Sequence, residues 1–172
     1  VQPFDRSDRM TDKALGNYRF VGLIHLMFPN AAVVHVERNA VDTCYSCYKN
    51  LFHLDSVPFT YDMDNLANRY RDYRQFIRLW NTVLPGKIHT VQYERLVSHQ
   101  EQVKRALLDF CRFPWDDACL AFHRNARAVQ TSSNAQVRQP IYRDSVDRWQ
   151  IYAKYLGPLL ALHDESARIT GP

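Results

Sequence analysis

Between Ala32 and Phe52 the hydrophobic period of the chain changes once, at Asn39, and that change restricts the fold more than anything else in the sequence. Ala32-Val33-Val34-His35-Val36 is a short apolar run dominated by β-branched residues, bounded by Pro29-Asn30 and by a charge, and it predicts a buried strand. Arg38 then falls where the strand ends. Asn39 is suited to cap a helix, and Val41, Cys44, Tyr45, Tyr48, Leu51 and Phe52 recur at helical spacing on one apolar face. Strand, tight turn and helix in this order define an α/β unit.

Open α/β sheets bind ligands at the carboxyl ends of their strands, so Arg38 is placed to receive an anion. Ser46 lies roughly two turns into the helix, and helical side chains lean toward the N-terminus. Its hydroxyl can therefore share an anion with the Arg38 guanidinium, and the spacing suits a phosphate. A second reading of the same spacing is an arginine paired to a carboxylate and a serine on a solvated face. Spacing alone leaves both open.

The run R-N-A-V-D-T-C-Y-S-C-Y from Arg38 to Tyr48 resembles the 3′-phosphate-binding motif of sulfotransferases. The version is that of tyrosylprotein sulfotransferases and of bacterial sulfotransferases carrying tetratricopeptide repeats. The resemblance extends from about Met10 to about Leu162. It implies a donor, 3′-phosphoadenosine 5′-phosphosulfate, whose 3′-phosphate Arg38 and Ser46 would hold, and a P-loop-NTPase-like parallel sheet flanked by helices. It implies a lysine at Thr11-Asp12-Lys13 that contacts the transferred group, making Lys13 the catalytic candidate. In the Tyr93-Glu94-Arg95-Leu96-Val97 run it places Tyr93 beside the nucleotide. In the polar stretch from Thr131 to Tyr142 it makes Ser133, Gln136 and Arg138 candidates for contacts to the adenine and the 3′-phosphate. The bacterial relatives imply a cytoplasmic setting.

Composition narrows the alternatives. At 172 residues the chain suits one domain, 1–172, with a sizeable core. The net charge of +4 rests mainly on arginine, which favours local, planar anion recognition over a nucleic-acid coat. Among the four cysteines, Cys44 and Cys47 form one C-x-x-C; structural zinc usually needs a second pair, and Cys44 lies on the apolar stripe. No metal is expected. No apolar run approaches the length of a membrane span.

Further along, an apolar helix is expected to present Tyr18, Val21, Leu23, Ile24, Met27 and Phe28, ending before Pro29. Asp55 to Tyr61 reads as a loop, in which Phe59 and Tyr61 anchor the chain or shape an acceptor pocket. A long helix over Met63–Val83 places Leu66, Tyr70, Tyr73, Ile77 and Trp80 on one face, and its arginines on others. Interleaved arginine and tyrosine also admits an RNA-binding surface. The strand Lys87–Gln92 follows, and a strand–helix–strand order makes a parallel pairing the simplest topology. An amphipathic helix ends near Cys111, a short one spans Asp116 to about His123, and a last helix runs from Asp144 or Ser145 to about Leu162, kinked at Gly157-Pro158 and burying Trp149, Tyr152, Leu156, Leu159 and Leu160.

Sulfotransferases also carry a Gly-Thr-Thr loop for the 5′-phosphosulfate, between a strand and a helix upstream of this motif. The chain contains no such segment and opens on Val1, so the expectation is a partial catalytic domain whose N-terminal P-loop strand and helix are absent. An exposed sheet edge would then invite self-association. Two functional readings follow: a sulfotransferase part that acts on a hydroxyl acceptor (protein tyrosine, sugar or small molecule), and a non-catalytic nucleotide-binding or interaction module with the same fold.

Overall fold

The computed structural model describes residues 10–52, 57–124 and 138–169. A 3-10 turn, Leu15–Arg19, leads into helix α1, Val21–Met27. Strand β1, Val33–Glu37, is followed after Arg38 and Asn39 by helix α2, Ala40–Tyr48. A 3-10 turn, Pro58–Tyr61, precedes the long helix α3, Met63–Val83, which leads to strand β2, Ile88–Gln92. Helices α4, Tyr93–Ser98, and α5, Gln100–Phe110, come next. Short 3-10 turns at Asp117–Cys119 and Phe122–Arg124, a longer one at Arg148–Tyr155, and helix α6, Gly157–Ile169, complete the described chain.

The two strands pair in parallel with Val33 opposite Ile88 and Glu37 opposite Gln92. Both strands therefore end at the same level, and α3 is the crossover between them. On one face His35 and Glu37 meet α3 through Tyr73 and Arg74. On the other face His89 stacks against Phe110 of α5 at 5.0 Å. Helices thus flank the sheet on both sides, while Val34 and Val36 stay open to solvent.

Caps fix where the helices start. The Asn39 side chain accepts the backbone N–H of Asp42 at 3.0 Å, as the sequence predicts, and Asp62 caps α3 by accepting from Asn65 at 2.8 Å. Beyond α3, Pro85-Gly86 turns the chain into β2, Gly86 taking a φ of 71° that favours glycine. The core lies between α2, α3 and α6: Val41, Cys44, Leu66, Ala67, Tyr70, Leu156, Leu159 and Leu162 are all buried there. Cys44 is a core residue, as its place on the apolar stripe predicts.

Several elements depart from the sequence reading: the strand expected to be buried leaves Val34 and Val36 exposed, and the short helix expected from Asp116 to about His123 is two 3-10 turns. The periodicity ahead of Pro29 splits at Phe20, because Tyr18 belongs to the preceding 3-10 turn; α1 buries Val21, while Leu23, Met27 and Phe28 are more than half exposed. Gly22 is the residue that lets α1 lie on α3, since a Cβ there would stand 2.8 Å from Trp80. Helix α2 stops at Tyr48, so Leu51 lies beyond it and is exposed. The last helix is two elements rather than one kinked one. Pro158 has no N–H to donate and so sits in the first turn of a new helix, where none is needed, and the break falls at Leu156. Tyr152, expected in the core, is 37% exposed and stacks on Tyr45 at 5.1 Å.

Candidate functional site at the strand ends

The equal ends of β1 and β2 bring the next residue of each strand side by side. The Arg38 guanidinium faces the Tyr93 ring with its central carbon 5.1 Å from the ring centre, a cation–π arrangement. A second tie runs between the same junctions: Glu94 accepts the backbone N–H of Asn39 at 2.8 Å. Two residues distant in sequence thus meet because of register alone.

Arg38 is held from a third direction. Asp42, one turn into α2 and fully buried, places Oδ1 3.7 Å from Arg38 Nη2. The same Nη2 donates to the carbonyl oxygen of Ser145. Asp42 in turn accepts two backbone N–H groups, from Asp147 at 2.7 Å and from Trp149 at 3.1 Å. Asp147 itself takes a left-handed φ of 56°. The stretch from Ser145 to Trp149 is therefore fastened to the start of α2 by one carboxylate and one guanidinium.

Two polar atoms in this arrangement, Arg38 Nε and Trp149 Nε1, are buried and donate to no described group. A buried N–H without an acceptor costs about 1–3 kcal/mol, so an acceptor oxygen brought to it would be bound favourably. The donor set, a guanidinium at the carboxyl end of a strand beside an aromatic face, suits a phosphate. Ser46 lies one further turn along the row that carries Asp42, half buried, its carbonyl accepting from the Asn50 amide at 2.8 Å. The charge of Arg38 is felt in that turn. Burial pushes the Cys47 thiol up, and the guanidinium opposes the shift.

Among the remaining candidates, Lys13 and Arg138 fall within the described residues. Lys13 is exposed on the segment before Leu15–Arg19, which packs on α3 through Tyr18 and is closed by the Asn17 amide donating to Asp12 at 2.9 Å. It makes no hydrogen bond or ion pair with Arg38, Ser46 or Tyr93. Arg138 is exposed at a turn ahead of the Ser145–Trp149 stretch, and Ser133 and Gln136 fall outside the described residues. Phe59 packs against the core, and the Tyr61 hydroxyl donates to the Phe52 carbonyl at 2.8 Å and accepts its N–H at 3.0 Å, so both aromatics anchor their loop. Asp42 and Glu94 are the participants that the sequence reading did not single out. Their signal was present: Asp42 stands four residues after Arg38, beside the apolar stripe of α2, and Glu94 follows Tyr93 directly.

A sequence model of the Sulfotransferase family matches residues 2–117. A protein of Aquifex aeolicus (strain VF5), described as uncharacterized, is 40% identical over 159 residues, covering 91% of this chain and 21% of its own length. A protein-tyrosine sulfotransferase of Drosophila melanogaster is 26% identical over 141 residues, covering 72% of this chain and 26% of its own length. The chain belongs to the Sulfotransferase family, and its parallel sheet with helices on both faces accords with the P-loop-like fold expected of it. It spans about a fifth to a quarter of the length of the curated relatives it matches. No described helix is long and apolar enough to cross a membrane, and no described cluster of His, Cys, Asp or Glu has the makings of a metal site.

Proposed function

We propose that this chain forms the 3′-phosphate-binding part of a sulfotransferase catalytic domain, acting in transfer of a sulfuryl group from 3′-phosphoadenosine 5′-phosphosulfate to an acceptor hydroxyl. The observation that carries this reading is the buried, unpartnered Nε of Arg38 at the end of β1, set beside the Tyr93 ring. Arg38 and Ser46 bind the 3′-phosphate, and Tyr93 lines the nucleotide. Ser133, Gln136 and Arg138 supply further contacts to the adenine and phosphate. The donor, when bound, brings an activated sulfuryl group. Lys13 supplies an ammonium that stabilises the negative charge growing on the leaving phosphate oxygen. The acceptor belongs to the class of tyrosine, sugar or small-alcohol hydroxyls.

Calorimetric titration with adenosine 3′,5′-bisphosphate, beside adenosine 5′-monophosphate as the nucleotide without a 3′-phosphate, tests the binding half of this reading. Loss of a charge-assisted contact costs about 1.5–3 kcal/mol, so Arg38→Ala is expected to weaken binding of the bisphosphate roughly ten- to a hundredfold. The monophosphate should change little. Equal affinity for both nucleotides in the folded wild-type chain overturns the reading. Discrimination without transfer to any hydroxyl by the full-length protein would leave a nucleotide-binding module instead.

A further inference from the structure

We propose that Asp42 is the positioning residue of this anion site, a single buried carboxylate that couples the setting of Arg38 to the placement of the Ser145–Trp149 stretch. The inference rests on the donor-site reading above and assigns Asp42 no contact with the donor. Its grounds are three relationships at one side chain with no solvent exposure, and a fourth that closes them into a loop. Oδ1 stands 3.7 Å from Arg38 Nη2 and accepts from Trp149 at 3.1 Å. Oδ2 accepts from Asp147 at 2.7 Å, and Arg38 Nη2 closes the loop by donating to the Ser145 carbonyl.

A buried carboxylate is expensive unless each oxygen is satisfied, and here both are. What the arrangement accomplishes is directional. Held by Asp42 and Ser145 at Nη2, the guanidinium has its Nε left without a partner, and rotation of the group away from that pose breaks one contact or the other. A purely electrostatic argument runs the opposite way, because a carboxylate beside the site disfavours an incoming dianion. Positioning and repulsion thus predict opposite signs for the removal of Asp42. Positioning wins if the fixed guanidinium matters more than the extra negative charge. The tie to Asp147 and Trp149 adds a second consequence: an anion that tightens Arg38 tightens those two backbone amides through the shared carboxylate.

The test uses Asp42→Asn, which keeps the shape, removes the charge and leaves one acceptor oxygen in place of two. The expected result is binding of adenosine 3′,5′-bisphosphate about tenfold weaker than wild type with the affinity for adenosine 5′-monophosphate unchanged. Arg38→Ala with Asp42→Asn should bind no more weakly than Arg38→Ala alone, since a positioning residue has nothing left to position. In the wild-type chain, saturation with the bisphosphate should slow hydrogen exchange at the Asp147 and Trp149 amides, and this readout stands even if the variant does not fold. Equal weakening for both nucleotides, tighter binding by the variant, or amide exchange that ignores the bisphosphate overturns the proposal. Wild-type chain that binds the two nucleotides equally removes the donor-site reading and this inference with it; discrimination that survives Asp42→Asn removes this inference alone.

Discussion

Glu94 accepts the backbone N–H of Asn39 at 2.8 Å and so joins the residue after Tyr93 to the residue after Arg38. It fastens the two strand ends together at the point where α2 is capped. A hydrogen bond to a charged group contributes about 1.5–3 kcal/mol, and the N–H of Asn39 is only partly exposed. Glu94→Ala should lower unfolding stability by about that amount, and Glu94→Gln, which retains an acceptor oxygen, by roughly half. Urea denaturation of the two variants checks this; equal loss from both would mean that the carboxylate charge, which both variants lack, is what Glu94 contributes, and not an acceptor oxygen as such.

His35 makes stability depend on pH. Burial, with the Arg74 charge adding to it, lowers its pKa to about 4 from the ordinary 6.5. The ring is flanked by the Tyr73 hydroxyl and by Thr90 Oγ1 at 3.3 Å. Because the unfolded chain binds the proton more readily than the folded one, the stabilisation is complete above pH 6.5 and is lost as pH falls from 6.5 toward 4. Denaturation midpoints taken across that window should fall more steeply for wild type than for His35→Gln. Parallel slopes would assign the acid sensitivity to other groups.

Gly22 is the close-approach point between α1 and α3. An added methyl would stand 2.8 Å from Trp80 Cζ3 and 3.0 Å from Cη2. The indole cannot retreat freely, since its Nε1 donates to the Tyr18 carbonyl at 2.6 Å. Overpacking of this kind costs about 1–3 kcal/mol, of which a helical alanine returns up to ~1. Gly22→Ala should therefore lower the thermal midpoint and alter tryptophan emission, whereas an unchanged midpoint would show that α1 can swing away at no cost.

Cys44 should be inert. Burial pushes its thiol up to about 12, with Cys47 next to it acting in the same direction. Only the thiolate reacts with alkylating agents. Iodoacetamide at pH 8 is expected to leave Cys44 unmodified in the native chain and to modify it in urea, as read by peptide mass mapping. Rapid native labelling would place the start of α2 in an open state for much of the time.

The central unit was legible because its signals are local. A β-branched run, an arginine, a capping asparagine and a change of period lie within a few residues, and the strand, the cap and the helix all follow from them. The pairing of Arg38 with Tyr93 was only half legible. The resemblance put both at the nucleotide, but their contact comes from the parallel register, which no local pattern encodes. The part played by Asp42 was hidden for a different reason. An acidic residue in the first turn of a helix is ordinarily a solvated partner of the helix dipole, and its burial here depends on the Ser145–Trp149 stretch, more than a hundred residues away. The C-terminal helix was read as one kinked element because Trp149, Tyr152, Leu156 and Leu159 keep helical spacing across the break at Leu156, so Gly157-Pro158 looked like a bend and not a new start.

The matched strand ends have one more consequence. Arg38 and Tyr93 are fixed relative to each other by hydrogen bonds between β1 and β2, not by the connection that runs between those strands. Changes in the connection between α2 and α3 that spare Phe59, Thr60 and the Asp62 cap need not, therefore, move the guanidinium from the ring. The Arg38–Tyr93 pair and the connection between α2 and α3 are thus mechanically separate, so sequence change in the one need not disturb the other.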